Sequence, residues 1–237
     1  MEYRYLFPGM QDYPPALHEL WPGAQLPVLT VSGNPELLRG SLVGFLSSTE
    51  IPPDLILPAF DLTRRLKMAD VPIAGGFQSE VERFCLSVLL AGRGPLVLCP
   101  ARSLDGMTPT PRVGPRLTGR TLVYASTERA GVRRPTSQVA LRRNDLVVGL
   151  GARLIVLSAP PGSRALKSAA ASLEAGRSVA CFDHRRNRDL LLLGAVPIRP
   201  TGRVVFGGGA GSEAGRFGVA GEPDLIRELF MEPPCPA

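Results

Sequence analysis

The chain has 237 residues, of which 44% are hydrophobic and 20% charged, and a formal net charge of +6. That length allows one large α/β domain with short appendages, and the composition is that of a globular protein with a real core. No apolar run reaches the ~18 residues needed to span a bilayer, and the opening Met-Glu-Tyr-Arg-Tyr lacks the layout of a secretory signal, so a soluble, cytoplasmic protein without a membrane partner is expected.

Residues 1–39 are Pro-rich (Pro8, Pro14, Pro15, Pro22, Pro27, Pro35) and read as an irregular N-terminal extension packed on the core. From Ser41 strands alternate with helices. Ser41–Leu46 reads as a strand and Leu57–Met68 as a helix whose apolar face is Leu57, Phe60, Leu62 and Leu66. Val71–Ala74 is a short strand ending in Gly75-Gly76, followed by a helix over Ser79–Ala91 with Ser79 as N-cap and Glu82 at the capping-box position. Pro95–Cys99 and Leu122–Ala125 are further strands, separated by a Pro/Arg-rich loop at Thr108–Arg120. After the Arg-rich connection Thr127–Ser137 come a helix over Gln138–Leu150, a strand over Leu154–Ser158, a helix over Ala165–Ala175 and a strand over Ser178–Phe182. A short helix near Asn187–Leu193 and a Val196–Ile198 strand close the series. The alternation predicts a doubly wound, mostly parallel sheet with helices on both faces, over residues 40–200. Residues 201–237 form a Gly/Pro-rich tail, with a low-complexity stretch at Gly207–Gly218 and one amphipathic turn at Pro223–Phe230.

Four cysteines lie far apart without a C-x-x-C pair, and His18 and His184 are the only imidazoles, so neither a disulfide framework nor a metal site is expected. Charge is segregated. Residues 102–203 hold 18 Lys+Arg against 6 Asp+Glu, a net of +12, and the rest of the chain 9 against 15, a net of −6. Arginine supplies 25 of the 27 basic residues. It suits bidentate phosphate contact better than lysine does. A polyanionic partner follows from that segregation.

Motifs for hydrolytic or phosphoryl-transfer chemistry are thin. There is no G-x-x-x-x-G-K-[ST] loop and no G-x-S-x-G elbow, and Glu80 and Glu82 are explained by a helix N-terminus. No catalytic residue and no cofactor are therefore assigned. Two strand-to-helix junctions stand out as phosphate sites. Gly75-Gly76-Phe77-Gln78-Ser79 offers close backbone approach and free N–H groups, although a tight turn with an ordinary Ser cap accounts for it equally. Pro161-Gly162-Ser163-Arg164 repeats the design, with Arg164 and Lys167 adding positive charge. Arg142 and Arg143 stand where they would line the same sheet edge, and Arg185, Arg186 and Arg188 read as a solvated cluster.

The pieces, in order, resemble the DNA-processing protein A (DprA/Smf) family over roughly residues 13–198. Tyr13-Pro14-Pro15-Ala16-Leu17 and Gly33-Asn34-Pro35-Glu36-Leu37-Leu38 look like its opening elements, and Ser41–Ser48, with Gly44, stands at its first strand. Val71–Ser79 is similar to its Gly-rich turn, Arg143-Asn144 with Gly149-Leu150 to its Arg-Asn helix, and Gly162-Ser163 to its Ser-Gly-Ser loop. Glu174-Ala175-Gly176-Arg177-Ser178-Val179 resembles Glu-x-Gly-Arg-x-Val, and Asn187 with Gly194-Ala195 the last element. Gln78 stands near a family arginine, and Asp145 replaces the second arginine of Arg-Asn-Arg.

The resemblance implies a Rossmann-like fold and a non-catalytic protein. Such a protein binds single-stranded DNA in a basic pocket, usually as a homodimer, and helps to load the RecA recombinase in DNA uptake and transformation. The candidate contacts, from the residues and the resemblance together, are Gly44, Gly75, Gly76, Gln78, Ser79, Arg142, Arg143, Asn144, Gly162, Ser163, Arg164, Lys167 and Arg177, with Phe77 and Tyr124 at strand ends as the aromatics available for base stacking. Two other classes remain on this fold. One is a phosphoribohydrolase-like enzyme, of whose Pro-Gly-Gly-x-Gly-Thr loop Pro161-Gly162-Ser163-Arg164 is a shadow, and the other a nucleotide-binding sensor without DNA loading.

Overall fold

The computed structural model describes residues 1–20 and 26–199, so the expected Gly-rich stretch and the Pro223–Phe230 turn lie outside the described residues. The strands are β1 (Arg4–Leu6), β2 (Leu29–Gly33), β3 (Leu42–Leu46), β4 (Ile73–Gly75), β5 (Leu96–Leu98), β6 (Leu122–Ser126), β7 (Gly151–Val156), β8 (Ser178–Phe182) and β9 (Val196–Ile198). The helices are α1 (Ala16–Leu20), α2 (Ile56–Met68), α3 (Glu80–Leu90), α4 (Gly114–Thr118), α5 (Ser137–Leu150), α6 (Arg164–Glu174) and α7 (Arg188–Leu192).

The strands form one sheet in the order β1-β2-β6-β5-β4-β3-β7-β8-β9. From β6 to β9 every pairing is parallel, whereas β2 pairs antiparallel with β6 and β1 antiparallel with β2. The chain builds outward from β3 to β6, then crosses back through α5 to lay β7 on the other flank of β3. This is the doubly wound, mostly parallel Rossmann-like sheet, and its order reverses between β3 and β7. In such sheets a crevice opens outside the carboxyl ends of the strands at that reversal.

The packing follows from the residues. Strands covered on both faces read as continuous apolar runs, and all five residues of β3 and of β6 are buried. One face carries Leu42, Leu46, Val97, Val123, Leu154 and Val179 against Leu146, Val147 and Leu150 of α5 and Ala165 and Ala169 of α6. The other lies under α2 and α3, which bury Leu62, Leu66, Val81, Cys85 and Leu89. Gly44 lets α5 sit down on the sheet, because a Cβ there would fall 2.6 Å from Leu154 Cδ1 and 3.2 Å from the Val147 carbonyl oxygen.

Three expectations need correction. The N-terminal extension is not irregular, since residues 4–6 and 29–33 are strands of the sheet itself. The loop at Thr108–Arg120 contains α4, where buried Arg116 donates to the carbonyl oxygens of Leu89 (3.1 Å) and Gly94 and to Thr121 Oγ1 (3.2 Å). In α2 the buried face is Ala59, Leu62, Thr63 and Leu66, and Leu57 is exposed, so the packed stripe is rotated relative to the expected one, sharing only Leu62 and Leu66 with it.

Candidate functional site

The turns leaving β3, β4 and β7 meet the first half of α5 at the reversal point. Between them is a cavity of about 190 Å³ lined by Ser47, Gln78, Ser79, Glu82, Arg143, Asn144, Gly162, Ser163 and Arg164, among others. Each wall has a local cause. Gly162, at φ +75°, turns the β7 exit, and Ser163 caps α6 by accepting from the Leu166 N–H at 3.1 Å. Fully buried Asn187 braces that exit, accepting from the Ala159 N–H (2.7 Å) and donating to the Leu157 (3.1 Å) and Phe182 (3.0 Å) carbonyls. Thr136 caps α5 through the Val139 N–H at 3.2 Å, setting the helix that carries Arg143 and Asn144 across the sheet.

Arg143 dominates the chemistry. Its guanidinium lies against the backbone of Gly76, where a Cβ would fall 1.3 Å from Nη1, so only glycine admits it. Nε and Nη1 are buried and have no protein acceptor, as is true of Ser47 Oγ. Buried polar atoms in native folds almost always have partners, and an unpaired guanidinium is costly to bury. Burial pushes Arg143 below the usual guanidinium range; the nearby Glu82 carboxylate opposes that shift and Arg164 adds to it. The crevice thus presents donors and positive charge and lacks an acceptor for them. It is built to take an anion.

Glu82 is the exception inside it. The side chain is buried, and Oε1 accepts from the Ser47 N–H at 3.1 Å. Oε2 accepts from the N–H groups of Gln78 (3.0 Å) and Ser79 (2.9 Å), and Ser79 Oγ accepts in return from the Glu82 N–H (3.2 Å). Two of the amides expected to be free for a phosphate are therefore already bonded. The capping-box spacing announced the Ser79 contact, but nothing local in the sequence announced Ser47, which arrives from another strand.

Of the sequence-predicted residues, the fold brings Gly76, Gln78, Ser79, Arg143, Asn144, Gly162, Ser163 and Arg164 together around this crevice. Five others stand apart. Gly44 is buried beneath α5, and Gly75, the last residue of β4, faces the ring of Phe77. Arg142 points to a neighbouring groove of about 410 Å³, also lined by Leu26, Pro27, Thr127, Arg129 and Asp145. There it forms a bidentate pair with buried Glu128, Nε and Nη2 each donating to one oxygen at 2.8 and 2.7 Å. Lys167 is exposed on α6 beside Asp145, whose carboxyl is pushed up by burial while the Ser168 hydroxyl (3.2 Å) and Lys167 restrain the shift. Arg177 lies at the opposite edge of the sheet, donating to the carbonyls of Val148 (2.8 Å), Gly149 (3.2 Å), Gly151 (3.0 Å) and Ala16 (2.9 Å). It binds the C-terminus of α5 and is not in the crevice.

The two aromatics expected to stack on bases are in the core. Phe77, at φ +50°, is buried and stacks on Phe45 with centroids 5.9 Å apart, and Tyr124 is buried within β6. Burial also pushes the thiols of Cys85, Cys99 and Cys181 up to about 11, 12 and 12. Among the described residues no group of His, Cys, Asp or Glu is placed to hold a metal, and no helix is long and apolar enough to cross a membrane.

Comparison with known proteins gives a consistent picture. A family model described as DNA recombination-mediator protein A matches residues 4–192. No curated protein matches the chain in sequence. In structure it is similar to DNA processing protein A (DprA) from Streptococcus pneumoniae, with 19% identity, a TM-score of 0.69, and coverage of 84% of this chain and 71% of that one. It is also similar to DNA processing protein A from Helicobacter pylori, a structure described for its single-stranded DNA binding mode, with 20% identity, a TM-score of 0.65, and coverage of 83% and 90%.

Proposed function

The chain belongs to the DNA recombination-mediator protein A family, and from that premise we propose that it binds single-stranded DNA in the crevice at the β3/β7 reversal. It acts without catalysis, in DNA uptake and recombination, presenting the strand to the RecA recombinase. The observation that carries this reading is Arg143, whose buried Nε and Nη1 lack any protein acceptor in a crevice also lined by Arg164 and the capped start of α6. First-turn amides of a helix have no intrahelical partner and favour an anion. A backbone phosphate answers all three.

The crevice is small and polar, so it takes phosphate and leaves the base outside; binding is independent of sequence. A homodimer is part of this reading. Leu192 at the end of α7, Leu193 just after it and Val196 of the edge strand β9 are 76%, 55% and 44% exposed, an apolar patch suited to a second copy. The phosphoribohydrolase-like alternative needs a free carboxylate for proton transfer, and Glu82, the only carboxylate among the described residues lining the crevice, has both oxygens bonded to backbone amides.

Gel shift with labelled oligo-dT tests the proposal. The native protein binds with micromolar affinity or better at low salt, and Arg143→Ala and Arg164→Ala each weaken it by about tenfold, roughly 1.4 kcal/mol. Absence of any shift at low salt overturns the DNA reading and leaves the nucleotide-sensor alternative, read out by thermal stabilisation with a nucleotide panel.

A further inference from the structure

We propose that the Glu82 carboxylate is a resident substitute for a phosphate: it fills the amide cradle made by the turns after β3 and β4, and so restricts the crevice to one phosphate, taken by Arg143 and Arg164. The inference deepens the single-stranded DNA reading and rests on it for the identity of the ligand.

An ordinary capping box engages one backbone amide with the N3 carboxylate. Here three converge on it, from Ser47, Gln78 and Ser79, at 2.9–3.1 Å and from two separate strand exits. Converging amides at a helix N-terminus are the arrangement that binds phosphate. The carboxylate occupying them is only 2% exposed, so no solvent anion competes for the place. Beside this cradle the situation is reversed: Arg143 Nε, Arg143 Nη1 and Ser47 Oγ are buried with no protein partner. The amides are filled by the protein's own anion, and the neighbouring donors are left wanting one.

Size agrees with a single guest. A cavity of about 190 Å³ is of the order of the ~150 Å³ that holds one small molecule such as benzene, room for a phosphate with part of its sugar. Glu82 has a second effect on that guest. Its charge offsets part of the cost of burying the Arg143 guanidinium, the cation that awaits the phosphate.

The test uses inorganic phosphate and needs no DNA. Glu82→Ala empties the amide cradle, and Glu82→Gln removes its charge while keeping one acceptor oxygen. Millimolar phosphate at constant ionic strength should raise the melting temperature of Glu82→Ala at least twice as much as that of the native protein, whereas Glu82→Gln, whose side chain still fills the cradle, should respond as the native protein does. Crystals of the native protein soaked in phosphate should hold none at the Gln78 and Ser79 amides, whereas the amides of Glu82→Ala hold one. On oligo-dT Glu82→Ala should show a salt slope steeper by about 0.7, the contribution of one more phosphate on a single strand. Equal phosphate stabilisation of the native protein and Glu82→Ala, or a phosphate on the amides of the native protein, overturns the proposal. If no form shifts oligo-dT but Glu82→Ala gains phosphate stabilisation, the DNA reading fails and the substitute role stands.

Discussion

At the scale of single residues, the glycine at position 76 decides where the site's cation goes. Only an absent side chain lets Arg143 lie on the backbone there, since a Cβ would fall 1.3 Å from Nη1. Gly76→Ala should therefore expel the guanidinium and weaken oligo-dT binding by about tenfold, as Arg143→Ala does. Its cost in stability should stay below about 1 kcal/mol, because a displaced Arg143 regains hydration for two unpaired nitrogens; gel shift beside thermal melting separates the two effects, and unchanged affinity would refute the role given to Gly76. Much of this was legible in advance: Gly76, Ser79, Gly162, Ser163 and Arg164 sit at strand exits, where backbone physics makes anion sites. Arg142 and Arg143 were not separable by sequence. They are adjacent on one helix, and only the tertiary partner Glu128, held by a different loop, turns Arg142 away.

At the scale of elements, α5 is the piece on which the site hangs, and its far end is held by a residue first read as a DNA contact. Arg177 donates to three carbonyls at the close of α5 and the start of β7, and to Ala16. A cation there complements the helix dipole and satisfies acceptors the helix itself leaves open. Arg177→Ala should lower stability by about 1–3 kcal/mol, the range for hydrogen bonds from a charged donor. Single-stranded DNA affinity should remain within about twofold of native, and chemical denaturation beside gel shift checks both; a selective loss of affinity would restore Arg177 to the site. Elements of the parallel region could be read in sequence because buried strands and capped helices alternate in plain view. β1 and β2 could not. Three to five residues in a Pro-rich stretch, pairing antiparallel with a strand as distant as β6, carry too little periodicity to be seen locally.

At the scale of the whole molecule, the basic excess of residues 102–203 has a geometric outlet. Parallel strands send their carboxyl-side loops to one edge, so exposed Arg129, Arg133 and Arg134 after β6 and Arg185 and Arg188 after β8 flank the crevice on its two sides. A strand anchored at Arg143 would run along that edge. Single-strand binding loses about 0.7 in log K per tenfold salt for each phosphate neutralised, and contacts beyond the crevice should make the native slope steeper than about −1.4. The Arg133→Ala/Arg134→Ala double variant should flatten it by about 0.7–1.4 and keep low-salt binding; a native slope near zero would rule out an extended electrostatic track.

The return of the chain through α5 also has a kinetic side. Pairing of β3 with β7 joins Leu42 to Gly151, and closing a loop of roughly a hundred residues costs about 4 kcal/mol of chain entropy. The half-sheet from β3 to β6 needs only short closures and is positioned to form first. The crevice comes into being only when α5 docks and β7 zips onto the exposed flank of β3. Until then the Glu82 cradle exists without Arg143 beside it, and the buried cation of the crevice has no place to sit.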